Sequence, residues 1–193
     1  KILTKCIIRI NVIGNLKNKF MKITYGKNTY NNKEIIAVNN CLKTGTQMGK
    51  SVDLFEKKIS KFFEKKYGLM VNSGSSALIL ALKILNLKPG SEVITPCLNF
   101  GTAVSSIILN NLKPIFVDAE IDTLQIDIDL IERKITKNTK VLLIPNLIGN
   151  IADWKKIYKL KKKYNLFLIE DSADTLGAKI DNKYTGFYSD ISI

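Results

Sequence analysis

The 193-residue sequence contains no histidine and only three cysteines, Cys6, Cys41 and Cys97. Without histidine there can be no Ser-His-Asp or Cys-His catalytic group and no zinc site with imidazole ligands. The cysteines form no Cys-x-x-Cys pair, and their odd number and wide spacing are typical of reduced thiols. We therefore expect no metal centre and a cytoplasmic location.

The sequence also lacks a long apolar run. The N-terminal stretch Ile7-Ile8 is followed at once by Arg9, far short of the roughly 20 apolar residues that a membrane-spanning helix needs. No small-residue cleavage pattern follows, which argues against a signal peptide. We predict no membrane partner, and we interpret residues 1–24 as an N-terminal extension.

Acidic residues are scarce, with 17 Asp and Glu against 30 Lys and Arg, which gives a net charge of +13. Residues 1–66 hold 15 basic and 4 acidic residues, whereas residues 67–193 hold 15 and 13. A basic surface attracts nucleic acid, but residues 67–193 are nearly neutral, with a net charge of +2. The joint abundance of Lys, Asn and Ile, which share A/T-rich codons, is a simpler explanation. We predict no nucleic-acid partner.

Hydrophobic residues make up 46% of the chain and charged residues 24%, as in a globular domain. Short apolar runs predict strands at 67–71, 92–97, 114–117, 141–144 and 166–169. Helical spacing predicts helices at 31–42, 51–66, 75–85, 100–109, 128–135 and 153–164. This alternation predicts an α/β fold, a mostly parallel sheet with helices on both faces. Residues 187–193 resemble the start of another strand, so we expect a fragment of a longer protein.

Two carboxylates, Glu170 and Asp171, follow the apolar run 166–169. Open α/β sheets bind ligands at the carboxyl ends of their strands. Side chains alternate along a strand, so the two acids face opposite sides of the sheet. We predict a chemical role for Asp171, with a helix cap or surface acid as the alternative, and a structural role for Glu170.

The loop at Ser73, Gly74 and Ser75 has the composition of an anion cradle that opens a helix. It matches neither the P-loop nor the Gly-x-Gly-x-x-Gly pattern, and a serine-capped helix is the alternative. A phosphate cradle at one strand end and an acid at another would suit a phosphorylated heterocycle with a protonatable nitrogen. Pyridoxal 5'-phosphate (PLP) is the obvious candidate.

Three further residues follow predicted strands. Phe100 could stack over a flat ring or pack in the core. Asn146 and Asn150 lie in one loop, where their amides could reach a substrate or satisfy backbone groups.

Four motifs in order, NSGSSAL at 72–78, PGSEVITP at 89–96, PIFVD at 114–118 and IEDSADTLGA at 169–178, resemble the DegT/DnrJ/StrS family of PLP-dependent sugar aminotransferases. The resemblance runs from about residue 25 to residue 193. It implies an aspartate-aminotransferase-like (fold type I) large domain at 25–193, incomplete and lacking the small C-terminal domain.

The resemblance also implies functional roles. Gly74 and Ser75, with Ser73, match the phosphate loop, Phe100 the ring-stacking aromatic and Asp171 the partner of the pyridine nitrogen. Such enzymes move an amino group from an amino-acid donor, usually glutamate, to a nucleotide-linked keto sugar in polysaccharide or lipopolysaccharide biosynthesis. Their site forms at a homodimer interface.

At two positions this sequence differs from the usual family pattern and resembles a related branch, the nucleotide-sugar 3-dehydrases. The family usually has Gln at the position of Asp174, which we also assign to the cofactor site, and an aromatic residue at the position of Ile148, before Gly149. In that branch a His replaces the Schiff-base Lys, and the cofactor remains pyridoxamine 5'-phosphate (PMP). The deciding residue is expected beyond Ile193, so we assign no catalytic residue here. An aminotransferase is favoured; a dehydrase or an inactive fragment are the alternatives.

Overall fold

The computed structural model describes residues 27–193, so the predicted extension at 1–24 lies outside the described residues. The chain divides into two compact units, one that ends at Gln47 and one that runs from Met48 to Ile193. The first unit contains helix α1, Asn32–Thr44. It begins with a capping box, in which Asn31 caps the helix and the Glu34 carboxylate accepts a hydrogen bond from the Asn31 N–H.

The second unit contains a parallel sheet and the helices that cover it. The helices are α2 Lys50–Phe62, α3 Gly74–Lys83, α4 Gly101–Leu109, α5 Ile128–Lys134 and α6 Trp154–Tyr164. The strands are β1 Glu92–Pro96, β2 Lys113–Val117, β3 Thr139–Pro145, β4 Phe167–Asp171, β5 Lys179–Ile180, β6 Lys183–Tyr184 and β7 Ile191–Ser192. Among residues 27–193, no helix combines the length and apolarity needed to cross a membrane.

The sheet has the order β2-β1-β3-β4-β7, and all its neighbouring strands are parallel. Alternate side chains build two cores. Leu143 and Ile169 pack with α3 and α4 on one face. Leu142 and Leu168 pack with α5 and α6, including the buried Trp154, on the other. The predicted parallel sheet with helices on both faces is confirmed.

The predicted strand at 67–71 is wrong, because this segment forms no strand. The Met70 N–H donates to the Glu56 side chain at 2.7 Å instead of to a neighbouring strand. At Gly68, an added Cβ would lie 2.6 Å from the backbone oxygen of Glu56. The segment therefore packs tightly along α2. That helix ends at Phe62, before the predicted end at residue 66, and Glu64 adopts a left-handed φ of 53° just beyond it.

The C-terminal segment also differs in detail. Only Ile191–Ser192 pairs with β4, while residues 185–190 form a turn. Strands β5 and β6 form a short antiparallel hairpin that the sequence prediction missed. Its two turn residues, Asp181 and Asn182, both have positive φ, which is the conformation of a type I′ hairpin turn.

Candidate functional site

The carboxyl ends of the parallel strands collect several predicted residues at one edge of the sheet. Strand β1 leads through Asn99 into Phe100 and α4, β3 leads into the loop at Asn146, and β4 ends at Asp171. Helices α3 and α4 pack side by side on the same face, and the turns that follow them meet, because the Gly90 N–H donates to the Asn111 carbonyl at 2.8 Å. From this we infer that the two helices also start toward the same edge, α3 at Gly74 and α4 at Gly101. This edge is the place where open α/β sheets bind ligands.

The side chains of β4 alternate between the two faces of the sheet, which determines the face to which Glu170 and Asp171 each point. Ile169 lies in the core that α3 and α4 cover, so Asp171, two residues further, points to that face. Leu168 lies in the α5 and α6 core, so Glu170 points there. Asp171 and the start of α3 therefore share one face of the sheet.

Ser73 caps helix α3, as the alternative prediction proposed. Its hydroxyl accepts a hydrogen bond from the Ser76 N–H at 3.2 Å and lies 3.1 Å from the Ser76 hydroxyl. Within residues 27–193, the N–H groups of Gly74 and Ser75 have no acceptor. A Cβ added at Gly74 would meet nothing within 4 Å. The helix start is thus capped and still open to an anion.

Phe100 occupies the N-cap position of α4 and is 67% exposed, so it does not pack in the core. Asn99 fixes its position, because the Asn99 amide donates to the buried Thr95 hydroxyl at 2.9 Å and its carbonyl accepts from the Phe100 N–H at 2.7 Å. Because Phe100 opens α4, it lies on the α3 and α4 side of the edge. It is available to stack on a flat ligand.

Asp171 is a half-buried carboxylate. Its Oδ1 accepts one hydrogen bond, from the Ala173 N–H at 3.2 Å. Burial raises the pKa of the Asp171 carboxyl above its ordinary value, the Ala173 bond opposes this rise, and the charge of Asp174 adds to it. No cation pairs with this carboxylate among the described residues. A protonated heterocyclic nitrogen would supply the missing positive charge.

Asp174 connects two loops at this edge. It is exposed, and its Oδ2 accepts a hydrogen bond from the Ile148 N–H at 3.1 Å. Ile148 has a φ of 58°, which is a strained conformation for a β-branched residue. Asp174 thus holds the loop after β3 against the turn after β4.

Asn146 is buried, and its side chain makes four hydrogen bonds within the protein. Its Nδ2 donates to Glu170 and Ser172 at 3.0 Å each. Its Oδ1 accepts from the Ala152 N–H at 3.1 Å and from the Trp154 indole at 2.8 Å. Four bonds use the full capacity of the amide, so this structure leaves no side-chain group for direct contact with a substrate.

Asn150 stands at the surface of the same loop. Its Nδ2 donates to the Thr123 carbonyl at 2.9 Å. The residue is exposed, and its amide oxygen accepts no hydrogen bond among the described residues, so it remains available to a ligand.

Glu170 has the predicted structural role. The buried carboxylate accepts hydrogen bonds from Asn146, from the Ser172 hydroxyl at 2.8 Å and from the Gly186 N–H at 2.8 Å. Burial raises the pKa of Glu170, and these bonds oppose the rise.

Three side chains at or near this edge were not predicted from the sequence. The buried Gln125 side chain bonds the backbone of Leu147 on both sides, which holds the loop after β3. The Thr102 hydroxyl, in the first turn of α4, is buried without a partner among the described residues. The Lys65 ammonium donates to two carbonyls of the turn before β7. Thr102 carried a recognisable signal, a hydroxyl in a helix start beyond a strand end, and the other two carried none.

Comparisons with known proteins show the family to which the chain is similar. The model of the DegT/DnrJ/EryC1/StrS aminotransferase family matches residues 28–193. The lipopolysaccharide biosynthesis protein RfbH of Salmonella typhimurium is 40% identical over 74% of this chain and 35% of its own length. GDP-perosamine synthase of Escherichia coli O157:H7 is 38% identical over 83% of this chain and 44% of its own length.

A solved structure gives the same result. E. coli GDP-4-keto-6-deoxy-D-mannose-3-dehydratase with bound hydrated PLP superposes with a TM-score of 0.77 at 33% identity, over 81% of this chain and 42% of that one. The chain therefore spans less than half the length of these relatives.

The Asn146 network makes a prediction about stability. Asn146→Ala leaves the Trp154 indole and the Ala152 N–H without an acceptor and removes a donor from Glu170, so we expect a loss of about 2–4 kcal/mol in the free energy of unfolding. Asn150→Ala, in the same loop, loses one exposed bond and should cost less than about 1 kcal/mol. Urea-induced unfolding measures both, and equal losses would contradict this assignment.

Proposed function

Because this chain belongs to the DegT/DnrJ/EryC1/StrS aminotransferase family, we propose that it forms the coenzyme-binding part of a PLP-dependent aminotransferase. The enzyme acts on a nucleotide-linked keto sugar in polysaccharide or lipopolysaccharide biosynthesis. One observation carries the proposal. The Asp171 carboxylate, which pairs with no cation among the described residues, lies on the face of the sheet that α3 covers, and we infer that the start of α3 at Gly74 lies toward the same edge.

The residues present fit the coenzyme. The N–H groups of Gly74 and Ser75 would hold its phosphate, together with the hydroxyls of Ser73 and Ser75. The open space at Gly74 leaves room for the phosphate oxygens. The exposed Phe100 would supply an aromatic face for the flat heterocycle.

Asp171 sets the electronic state of the ring. An ionised carboxylate beside the ring nitrogen keeps that nitrogen protonated. When bound, the coenzyme supplies an electron sink that stabilises negative charge on the substrate carbon. The turn after β4, which Asp174 connects to Ile148, holds this end of the strand in place.

The relatives suggest the substrate. GDP-perosamine synthase and GDP-4-keto-6-deoxy-D-mannose 3-dehydratase are named for GDP-linked sugars. We propose a GDP-linked keto sugar as acceptor and an amino acid, usually glutamate, as donor. In this proposal Asn150 contacts the sugar from the loop after β3, and the hydrogen bonds of the buried Asn146 hold that loop in place. We also propose that the protein forms a homodimer and is located in the cytoplasm.

A nucleotide-sugar 3-dehydrase is the second candidate, and one contact favours it. The two positions that depart from the aminotransferase pattern, Asp174 and Ile148, are hydrogen-bonded to each other at 3.1 Å. They form one unit at the edge of the site. The dehydratase from E. coli, at 33% identity, is the corresponding relative.

We assign no catalytic residue within this chain. A Lys is expected beyond Ile193 in the aminotransferase and a His in the dehydrase. The isolated chain should therefore bind coenzyme without turnover.

Asp171→Asn tests the coenzyme site. The neutral amide cannot neutralise a ring cation, so we expect the dissociation constant for PMP to rise by about 10- to 100-fold, the value of a hydrogen bond to a charged group. Calorimetric titration of the 193-residue chain measures it. Asp129→Asn, an exposed acid at the start of α5, is the matched control and should bind like wild type. Equal binding by both variants, or no binding by wild type, would refute the proposal.

The raised pKa of Asp171 predicts a pH dependence. As pH falls through this pKa, the free protein binds a proton on Asp171 that must leave before the carboxylate can face a ring cation. Affinity for PMP should therefore decrease with falling pH, by up to about tenfold per pH unit below that pKa. Titrations across the acidic range check this. The affinity of Asp171→Asn for PMP should lack the decrease that comes from protonation of Asp171. Equal pH dependence in the wild type and the variant would contradict the assignment.

The reaction of the enzyme that contains this chain separates the two candidates. With GDP-4-keto-6-deoxy-D-mannose and glutamate, an aminotransferase yields an amino sugar that retains all its hydroxyls. A dehydrase yields a sugar that has lost the 3-hydroxyl. Mass spectrometry of the nucleotide sugar distinguishes the products, and we expect the amino sugar.

A further inference from the structure

We propose that Lys65 is a positioning residue of the coenzyme site, a role that rests on the function proposed above. Its ammonium group holds the turn at 186–189 against the buried Glu170. The turn in turn fixes β7 and the end of β4, on which Asp171 stands.

Lys65 reaches the turn from the segment after α2. Its half-buried ammonium group donates hydrogen bonds to the carbonyls of Gly186 and Ser189, more than 120 residues further along the chain. The next residue, Lys66, is exposed and lies 5.0 Å from the Tyr67 ring centroid. Two adjacent lysines thus have very different surroundings.

Glu170 holds the same turn from the other side. It accepts from the Gly186 N–H, while Lys65 donates to the Gly186 carbonyl. The two charges therefore flank one residue. Burial lowers the pKa of Lys65, and the nearby charges of Glu170 and Asp190 oppose this.

Packing brings α2 directly onto the turn. Gly186 has a φ of 96°, and a Cβ there would lie 2.7 Å from the Phe63 ring and 2.8 Å from the Ser192 hydroxyl. The Phe62 and Tyr184 rings lie 4.4 Å apart between centroids. Only glycine allows this close approach, so the turn is fitted to the end of α2.

The turn leads straight into the backbone around Asp171. Strand β7 pairs with β4 at Glu170 and Ser192. The Ile193 N–H donates to the Glu170 carbonyl at 2.9 Å, and the Ser172 N–H donates to the Ile193 carbonyl at 2.7 Å. These bonds bracket Asp171 on both sides. A displaced turn would release β7 and with it the strand end that carries the carboxylate.

Lys65→Met tests this role in the 193-residue chain, because it keeps the length of the side chain and removes its charge and donors. We expect hydrogen exchange in residues 184–193 and at the end of β4 to accelerate by about tenfold or more, with β1 and β3 unchanged. The dissociation constant for PMP should rise by about fivefold or more. Lys65→Arg, which keeps charge and donors, should restore much of both.

Lys66→Met is the matched control and should change neither quantity. If Lys65→Met does not fold, Lys65→Gln, which keeps a neutral donor, gives the same comparison. If the wild-type chain binds PMP but the Lys65 variant shows unchanged PMP affinity or unchanged hydrogen exchange in residues 184–193, the positioning role of Lys65 is refuted. The proposed function of the chain would still stand. A wild-type chain that binds no PMP would refute the proposed function, and this role with it.

Discussion

The buried carboxylate of Glu170 is the group on which the site depends. It accepts hydrogen bonds from Asn146, Ser172 and Gly186, which belong to three different segments. A buried acid without such partners would be costly, so the three segments must converge where β4 ends. Because side chains alternate along a strand, the same convergence directs the next residue, Asp171, to the opposite face.

The two faces of the sheet at β4 thus have different roles, one structural and one available to a ligand. On the α5 and α6 side, the buried polar side chains of Glu170 and Asn146 are hydrogen-bonded within the protein, and Asn146 makes four bonds. On the α3 and α4 side, Asp171 accepts a hydrogen bond from only one donor among residues 27–193, and in that same range the N–H groups of Gly74 and Ser75 have no acceptor. Satisfied groups give rigidity, and unsatisfied ones are free for a ligand. This asymmetry is the physical basis of the proposed coenzyme site.

Much of this arrangement could be predicted from the sequence, because short apolar runs mark strand ends and parallel strands bring those ends together. The sheet and its helices followed from that pattern, as did the position of Asp171 at the end of β4. The strand at 67–71 could not be excluded, because its apolar run gives no sign that Glu56 replaces a partner strand. Lys65 carried no signal, since its partners lie more than 120 residues away.

The most direct test of the account is the protonation state of the bound coenzyme. PMP labelled with ¹⁵N in its ring can be titrated with the protein and observed by nuclear magnetic resonance near neutral pH, with free PMP as reference. We predict the chemical shift of a protonated ring nitrogen in the complex, because Asp171 stabilises the cation. A bound ring with a neutral nitrogen would contradict the central claim.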